Sequence, residues 1–180
     1  MFNKDAAIQS IDYIVKTIGT TDIIKVLKLL FFAERYHIRK YARSISEDTF
    51  YAMKKGPVPS NTYDLIKKNN IQELSITSKE ISSNNYFKTL EDYEDLSTTD
   101  IEALDFAVKN FGDLSSKQLI DKTHDYKEWN RFVNELKANN TSIKINPEDY
   151  FLDTEECSSE YNDIPMETVK LSQDMFYGRL

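Results

Sequence analysis

Between Asp22 and Tyr41 the apolar residues do not keep to one side of a helix. Ile23, Ile24, Val26, Leu27, Leu30, Phe31 and Ala33 follow three- and four-residue steps, and Phe32 adds a second face. A helix that is apolar on more than one face cannot lie on a surface. This segment therefore predicts the central helix of a core, capped by Thr20 or Thr21 and enclosed by other elements. With 180 residues and 40% hydrophobic content, the chain suffices for one domain with a real core and is too short for two of ordinary size.

The surrounding pattern supplies the enclosing elements. Ala6 to Ile18 aligns Ile8, Ile11, Ile14, Val15 and Ile18 on one stripe, closed by Gly19 in the left-handed conformation. Ser60 caps a short helix over Asn61 to Lys68, with Tyr63 and Ile66 inward. Ser97 with Asp100, and Ser115 with Gln118, read as capping boxes ahead of helices ending at Gly112 and near His124. Tyr126 to Ala138 sets Trp129, Phe132, Val133 and Leu136 on one helical face, and Asn146-Pro147-Glu148-Asp149 predicts a brief helix through Phe151. Two regions read as extended. Asp48 to Lys54 is rich in Thr49, Phe50 and Tyr51 and is stopped by Gly56 and two prolines; Ile71 to Leu90 forms a hairpin divided at Ser82-Ser83-Asn84-Asn85. The expectation is an α+β chain, predominantly helical, with about six to eight helices and a small three-stranded antiparallel sheet.

Beyond Asp153 the sequence turns polar, so residues 154–180 read as an acidic linker and amphipathic helix appended to a domain of residues 1–153. Pro165 to Tyr177 restores a helical pattern, with Met166, Val169, Met175 and Phe176 available for one apolar stripe. That stripe needs cover, either from its own domain or from a groove on another chain. Residues 145–180 hold nine acids against Lys170 and Arg179, so the net charge of −7 resides there, and residues 1–144 carry 21 bases and 21 acids. An acidic tail on a neutral body repels nucleic-acid backbone and favours a basic partner.

Catalytic patterns are sparse. His37 follows Glu34 by three positions on the central helix and reads as a partly buried structural histidine; His124-Asp125 sits at a helix end, and neither has a nucleophile at a set spacing. Gly19, Gly56, Gly112 and Gly178 form no phosphate-binding loop. Cys157 is alone in an acidic context, and Asp153, Glu155 and Glu156 lack the ligand order of a calcium site, so they read as a solvated tail. No catalytic, metal or cofactor residue is assigned. A lone cysteine fits a reducing compartment, no apolar run approaches the roughly 20 residues of a membrane span, and the first residues lack an export signal, so the expected location is cytoplasmic. The bases from Lys25 to Lys55, interleaved with Tyr36, Tyr41 and Tyr51, offer a nucleic-acid patch, but a solvated helix face is the preferred reading.

The block Lys28-Leu29-Leu30-x-Phe32-Ala33-x-Arg35-Tyr36-His37, the Asp48 to Met53 strand and Gly56-Pro57-Val58-Pro59 resemble the Panacea domain, also called the SocA-like antitoxin domain. Weaker likenesses run through Asp100-Ile101-Glu102-Ala103-Leu104, Phe111 to Ser115, Thr123 to Trp129 and Asn146 to Phe151, so the resemblance spans nearly all of residues 8–153. It implies a mostly helical fold with a small sheet and a non-enzymatic antitoxin that binds a cognate toxin, translation inhibitors among them. One branch of the family delivers its toxin to a protease, which leaves a proteolytic adaptor as an alternative, beside a nucleic-acid-binding regulator of its own operon. An enzyme from a prophage or other mobile element has no residue set behind it.

For toxin contact the sequence nominates Tyr161, Ile164, Met166, Val169, Met175, Phe176 and Tyr177, because an acidic amphipathic segment fits a basic groove. A second candidate patch comprises Arg35, Tyr36, Tyr51, Lys54 and the Gly56 to Pro59 turn, with support of the fold as its alternative role.

Overall fold

The computed structural model describes residues 1–138, 141–152 and 159–179. Its elements are α1 (Lys4–Ile18), β1 (Thr21–Asp22), α2 (Ile23–Tyr41), β2 (Phe50–Met53), β3 (Gly56–Pro59), α3 (Ser60–Lys68), β4 (Leu74–Ile76) and β5 (Glu80–Ser83). They continue with α4 (Thr98–Phe111), α5 (Ser116–Thr123), α6 (Lys127–Asn130), α7 (Val133–Ala138), β6 (Ile143–Lys144) and α8 (Met166–Phe176), with 3-10 turns at Leu90–Asp92, Pro147–Phe151 and Ser159–Tyr161. Among the described residues this is the expected predominantly helical α+β arrangement, with eight α-helices.

Helix α2 is the axis of the molecule. Every residue from Val26 to Arg39 is buried, and α1, α4, α5, α8 and β3 pack around it. Phe31 and Phe32 are fully enclosed, Phe32 stacking on Phe111 of α4 with centroids 3.9 Å apart. Burial of each such ring contributes about 2–3 kcal/mol. Full enclosure also traps Lys28, Glu34, Arg35, His37 and Arg39, whose polar atoms must find partners inside the protein.

The strands form two sheets rather than one. β1, β5 and β4 pair in that order, and β3, β2 and β6 make a second antiparallel sheet. β2 therefore does not join the hairpin; it folds back through Lys54-Lys55 onto β3, with Tyr51 opposite Val58. The two prolines extend the pairing instead of stopping it. The ladder continues with Ser60 N donating to Thr49 O at 3.0 Å, and Pro57 and Pro59 alternate with the bonded positions on this edge strand, where no donor is needed.

The hairpin turns at Thr77–Lys79 rather than at Ser82–Asn85. Thr77 Oγ1 accepts from Glu80 N at 2.9 Å, closing the turn, while Ser83 Oγ donates to Asp12 of α1. Helix α2 begins at Ile23 without a threonine cap, because Thr21 and Asp22 are held in β1 and Ile23 N bonds Lys79 O at 2.9 Å. Both capping boxes form as expected. Gly112 keeps right-handed helical angles, and glycine is required there because a Cβ would lie 2.4 Å from Val108 O. The segment from Tyr126 to Ala138 is two short helices broken at Arg131-Phe132, where Arg131 Nη1 reaches Asp149 Oδ1 at 2.6 Å.

Candidate functional site

The nominated residues divide sharply by burial. Arg35 and Tyr36 lie inside. Arg35 Nε donates to Glu128 Oε1 at 2.8 Å, its Nη2 donates to Leu152 O at 3.0 Å, and its guanidinium sits 4.7 Å from the Tyr126 ring centre and 4.5 Å from that of Tyr161. Tyr161 OH donates to Phe32 O at 3.2 Å. Burial pushes the Glu128 carboxyl up, and the Arg35 charge opposes that shift. Tyr36 stacks on Phe106 at 4.2 Å and donates to Glu102 at 2.6 Å.

This arrangement fixes the C-terminal segment. Tyr161, Ile164 and Val169 belong to the main core, and Val169, Ser172 and Phe176, at steps of three and four, give α8 its inward face. Phe176 meets Phe151 edge-on at 5.6 Å. Leu171 and Met175, four apart, share the outward face with relative exposures of 53 and 55%; Met166, 57% exposed, stands at the first turn on another side of the helix, and Tyr177 follows at 37%. Four of the eight exposed large apolar side chains among the described residues thus fall between 166 and 177. The acids Glu167 and Asp174 accompany them. Leu171 was missed in the sequence, although its spacing of four from Met175 identifies the stripe. Cys157 and the Asp153, Glu155 and Glu156 cluster lie outside the described residues.

The bases from Lys25 to Lys55 do not make one surface. Lys28, Arg35 and Arg39 are buried; Arg39 Nη1 donates to Tyr150 O at 3.0 Å. Lys40 pairs with Glu102 at 2.5 Å, and Arg43 with Asp100 at 2.9 Å. Arg43 is exposed beside its Asp100 partner, the β2–β3 turn presents Lys54 and Lys55 outward, and Tyr51 is half-buried. His37 is enclosed, its Nδ1 2.6 Å from Arg43 O and its Nε2 3.0 Å from Thr99 Oγ1, and burial lowers its pKa. His124 stacks on Trp129 at 3.5 Å. Each histidine thus has a structural task.

A feature not legible in the sequence lies beside the first turns of α2. A groove of about 1490 Å³ opens between α2, the β2–β3 turn, α3 and the β4–β5 turn. Lys28 contributes to its wall; its Nζ donates to Pro57 O at 2.6 Å, and burial lowers its pKa to about 7. The groove shares no residue with α8. No helix among the described residues is long and apolar enough to cross a membrane.

A family model described as antitoxin SocA-like, Panacea domain, matches residues 26–130, which run from α2 to α6 and include the Arg35–Glu128 pair. No curated protein and no solved structure matches the chain.

Proposed function

The chain belongs to the antitoxin SocA-like, Panacea domain family, and from that premise we propose that it neutralises a cognate toxin by direct protein–protein contact, without chemistry of its own. The family match is the observation that carries this reading. The outward face of α8 supports it: Leu171 and Met175 stand exposed four residues apart on a helix whose other face is anchored, with Glu167, Lys170 and Asp174 around them, which is the form of a rigid apolar anchor surface for a partner's cleft. Of the residues nominated from the sequence, Met175 and Tyr177 make this contact, joined by Leu171, while Met166 stands exposed on another side of the first turn; Tyr161, Ile164 and Val169 hold the helix in place. Phe176 and Arg35 support it from beneath, Tyr36 packs on Phe106 of α4 instead, and Tyr51 and Lys54 lie in the second sheet and its turn. The toxin is a translation inhibitor in this reading, because such proteins present basic, RNA-facing surfaces.

The experiment is growth rescue. The gene beside this one is induced with and without this chain, and the two purified products are mixed in a binding measurement. Arrest relieved only on co-expression, together with a stable complex, supports the reading; a toxic neighbour that this chain neither relieves nor binds overturns it. Rescue that vanishes in cells lacking one protease assigns the chain to the adaptor role instead.

A further inference from the structure

The groove beside α2 differs in chemistry from the α8 face. Its floor is aliphatic, formed by Ile24, Leu27, Val58, Ile66 and Ile76. Its rim carries Lys54, Lys55, Lys67 and Lys79, all exposed. One acid, Asp22, lines it, and that carboxylate accepts from Ser116 Oγ at 2.8 Å. Lys67 pairs with Asp64 at 2.7 Å, whereas Lys54, Lys55 and Lys79 make no ion pair among the described residues. On a chain of net charge −7, four lysines around one apolar trough concentrate positive potential at a single place.

We infer that this groove docks an acidic amphipathic segment of a partner protein, a helix whose aliphatic stripe fills the floor while its flanking carboxylates meet the rim lysines. The inference does not rest on the antitoxin reading. The size fits: about 1490 Å³ holds roughly three turns of an α-helix about 10 Å across, and exceeds the roughly 300–1,000 Å³ typical of small-molecule pockets. The lining disfavours nucleic acid. Stacking platforms are aromatic, whereas this floor is aliphatic, and the lone lining tyrosine, Tyr63, has Lys67 Nζ 4.6 Å from its ring centre. Apolar floor and basic rim together select against both a basic peptide and a wholly polar acidic one.

The full chain is titrated against a fluorescein-labelled helical peptide about four turns long, with leucine on one stripe and glutamate elsewhere, and against its twin with lysine in place of glutamate. The acidic peptide binds, its affinity falls with added salt, and it slows amide exchange at residues 74–79; the lysine twin does not bind. Lys54→Glu with Lys79→Glu weakens the acidic peptide about tenfold or more at low salt and inverts the preference toward the twin. Lys54→Ala with Lys79→Ala, milder for folding, gives a smaller loss in the same direction. Equal binding of the two peptides, or binding untouched by either double variant, overturns the proposal. So does salt-sensitive binding of single-stranded oligo(dT) that displaces the peptide. Concentration-dependent self-association that the same variants abolish would give the groove to a second copy of this chain and equally overturn it.

Discussion

The guanidinium of Arg35 lies 4.5 Å from the ring centre of Tyr161, 126 positions later in the chain, and its Nε bonds Glu128 at 2.8 Å. One buried cation therefore joins the central helix, α6 and the C-terminal segment. Because Arg35 and Glu128 are both fully enclosed, removing either partner strands a charge in a low-dielectric interior. Arg35→Met is expected to cost about 3–5 kcal/mol in urea unfolding, and Arg35→Met with Glu128→Met to recover most of it. Equal destabilisation by the single and double changes would remove the pair from its proposed role.

Tyr161 extends the same argument to the chain end. Truncation after residue 158 strips Tyr161, Ile164 and Val169 from the core and uncovers the face of α2 on which α8 rests. The truncated protein is expected to unfold at markedly lower urea and to bind a hydrophobic dye, since large core deletions cost about 2–5 kcal/mol each. An unchanged unfolding midpoint would show that the C-terminal segment is separable.

The central helix was legible because its apolar residues cover more than one face, and the capping boxes because each is a local signal of four residues. Other features depend on partners the sequence cannot point to. Tyr161 reads as one member of an exposed stripe until Arg35 and Phe32 are placed beside it. Thr21-Asp22 and Ile143-Lys144 are too short to show alternation, and pairing with β5 and β2 makes them strands. The groove was invisible for the same reason: Ile24, Met53, Ile66 and Ile76 come from four elements, each unremarkable alone. The cap of α3 is a further case. Asp48, not Ser60, accepts from Asn61 N at 3.0 Å and Thr62 N at 2.8 Å, twelve or more residues along the chain.

That remote cap is testable. Asp48→Ala leaves the first turn of α3 without its acceptor and is expected to cost about 1–2 kcal/mol, lowering the melting temperature by about 2–8 °C. Ser60→Ala is expected to change it little. The reverse ranking would return the capping role to Ser60.

Gly56 takes φ +93°, and a Cβ there would sit 2.4 Å from Thr123 Oγ1 and 3.0 Å from Lys28 Nζ. Gly56→Ala thus combines backbone strain with a clash and is expected to lose about 3 kcal/mol or more. Thr123→Ala in the same chain removes the closest contact but neither the strain nor the Lys28 approach, so it should restore part of the loss; complete restoration would show that the backbone angle costs nothing.

Two buried groups on α2 give stability opposite pH slopes. Glu34 rises from 4.5 to about 7 through burial, so between these values the folded chain holds a proton that the unfolded chain has released, and stability falls as pH rises. Lys28 drops from 10.5 to about 7, also through burial, so above pH 7 the folded chain has released a proton that the unfolded chain keeps, and stability rises toward pH 10.5. Each limb approaches about 1.4 kcal/mol per pH unit. Unfolding free energies measured from pH 5 to 10 are expected to lose the falling limb in Glu34→Gln and the rising limb in Lys28→Met; slopes identical to the wild type would deny both groups their shifted titration.

The α8 face permits a separation of function from folding. Leu171 and Met175 project outward, so Leu171→Glu with Met175→Glu is expected to change unfolding free energy by about 0.5 kcal/mol or less per site. With α8 as the proposed contact surface, the double change is expected to remove two apolar anchors and place carboxylates in a desolvated cleft, weakening toxin binding at least a hundredfold and ending growth rescue. Val169→Glu, on the inward face, should instead destabilise the fold itself, because that side chain is 4% exposed. Rescue that survives the outward double change but fails when Lys54 and Lys79 are reversed would transfer toxin recognition from α8 to the groove. Such a result would leave the antitoxin reading standing while moving its contact surface to the first turns of α2.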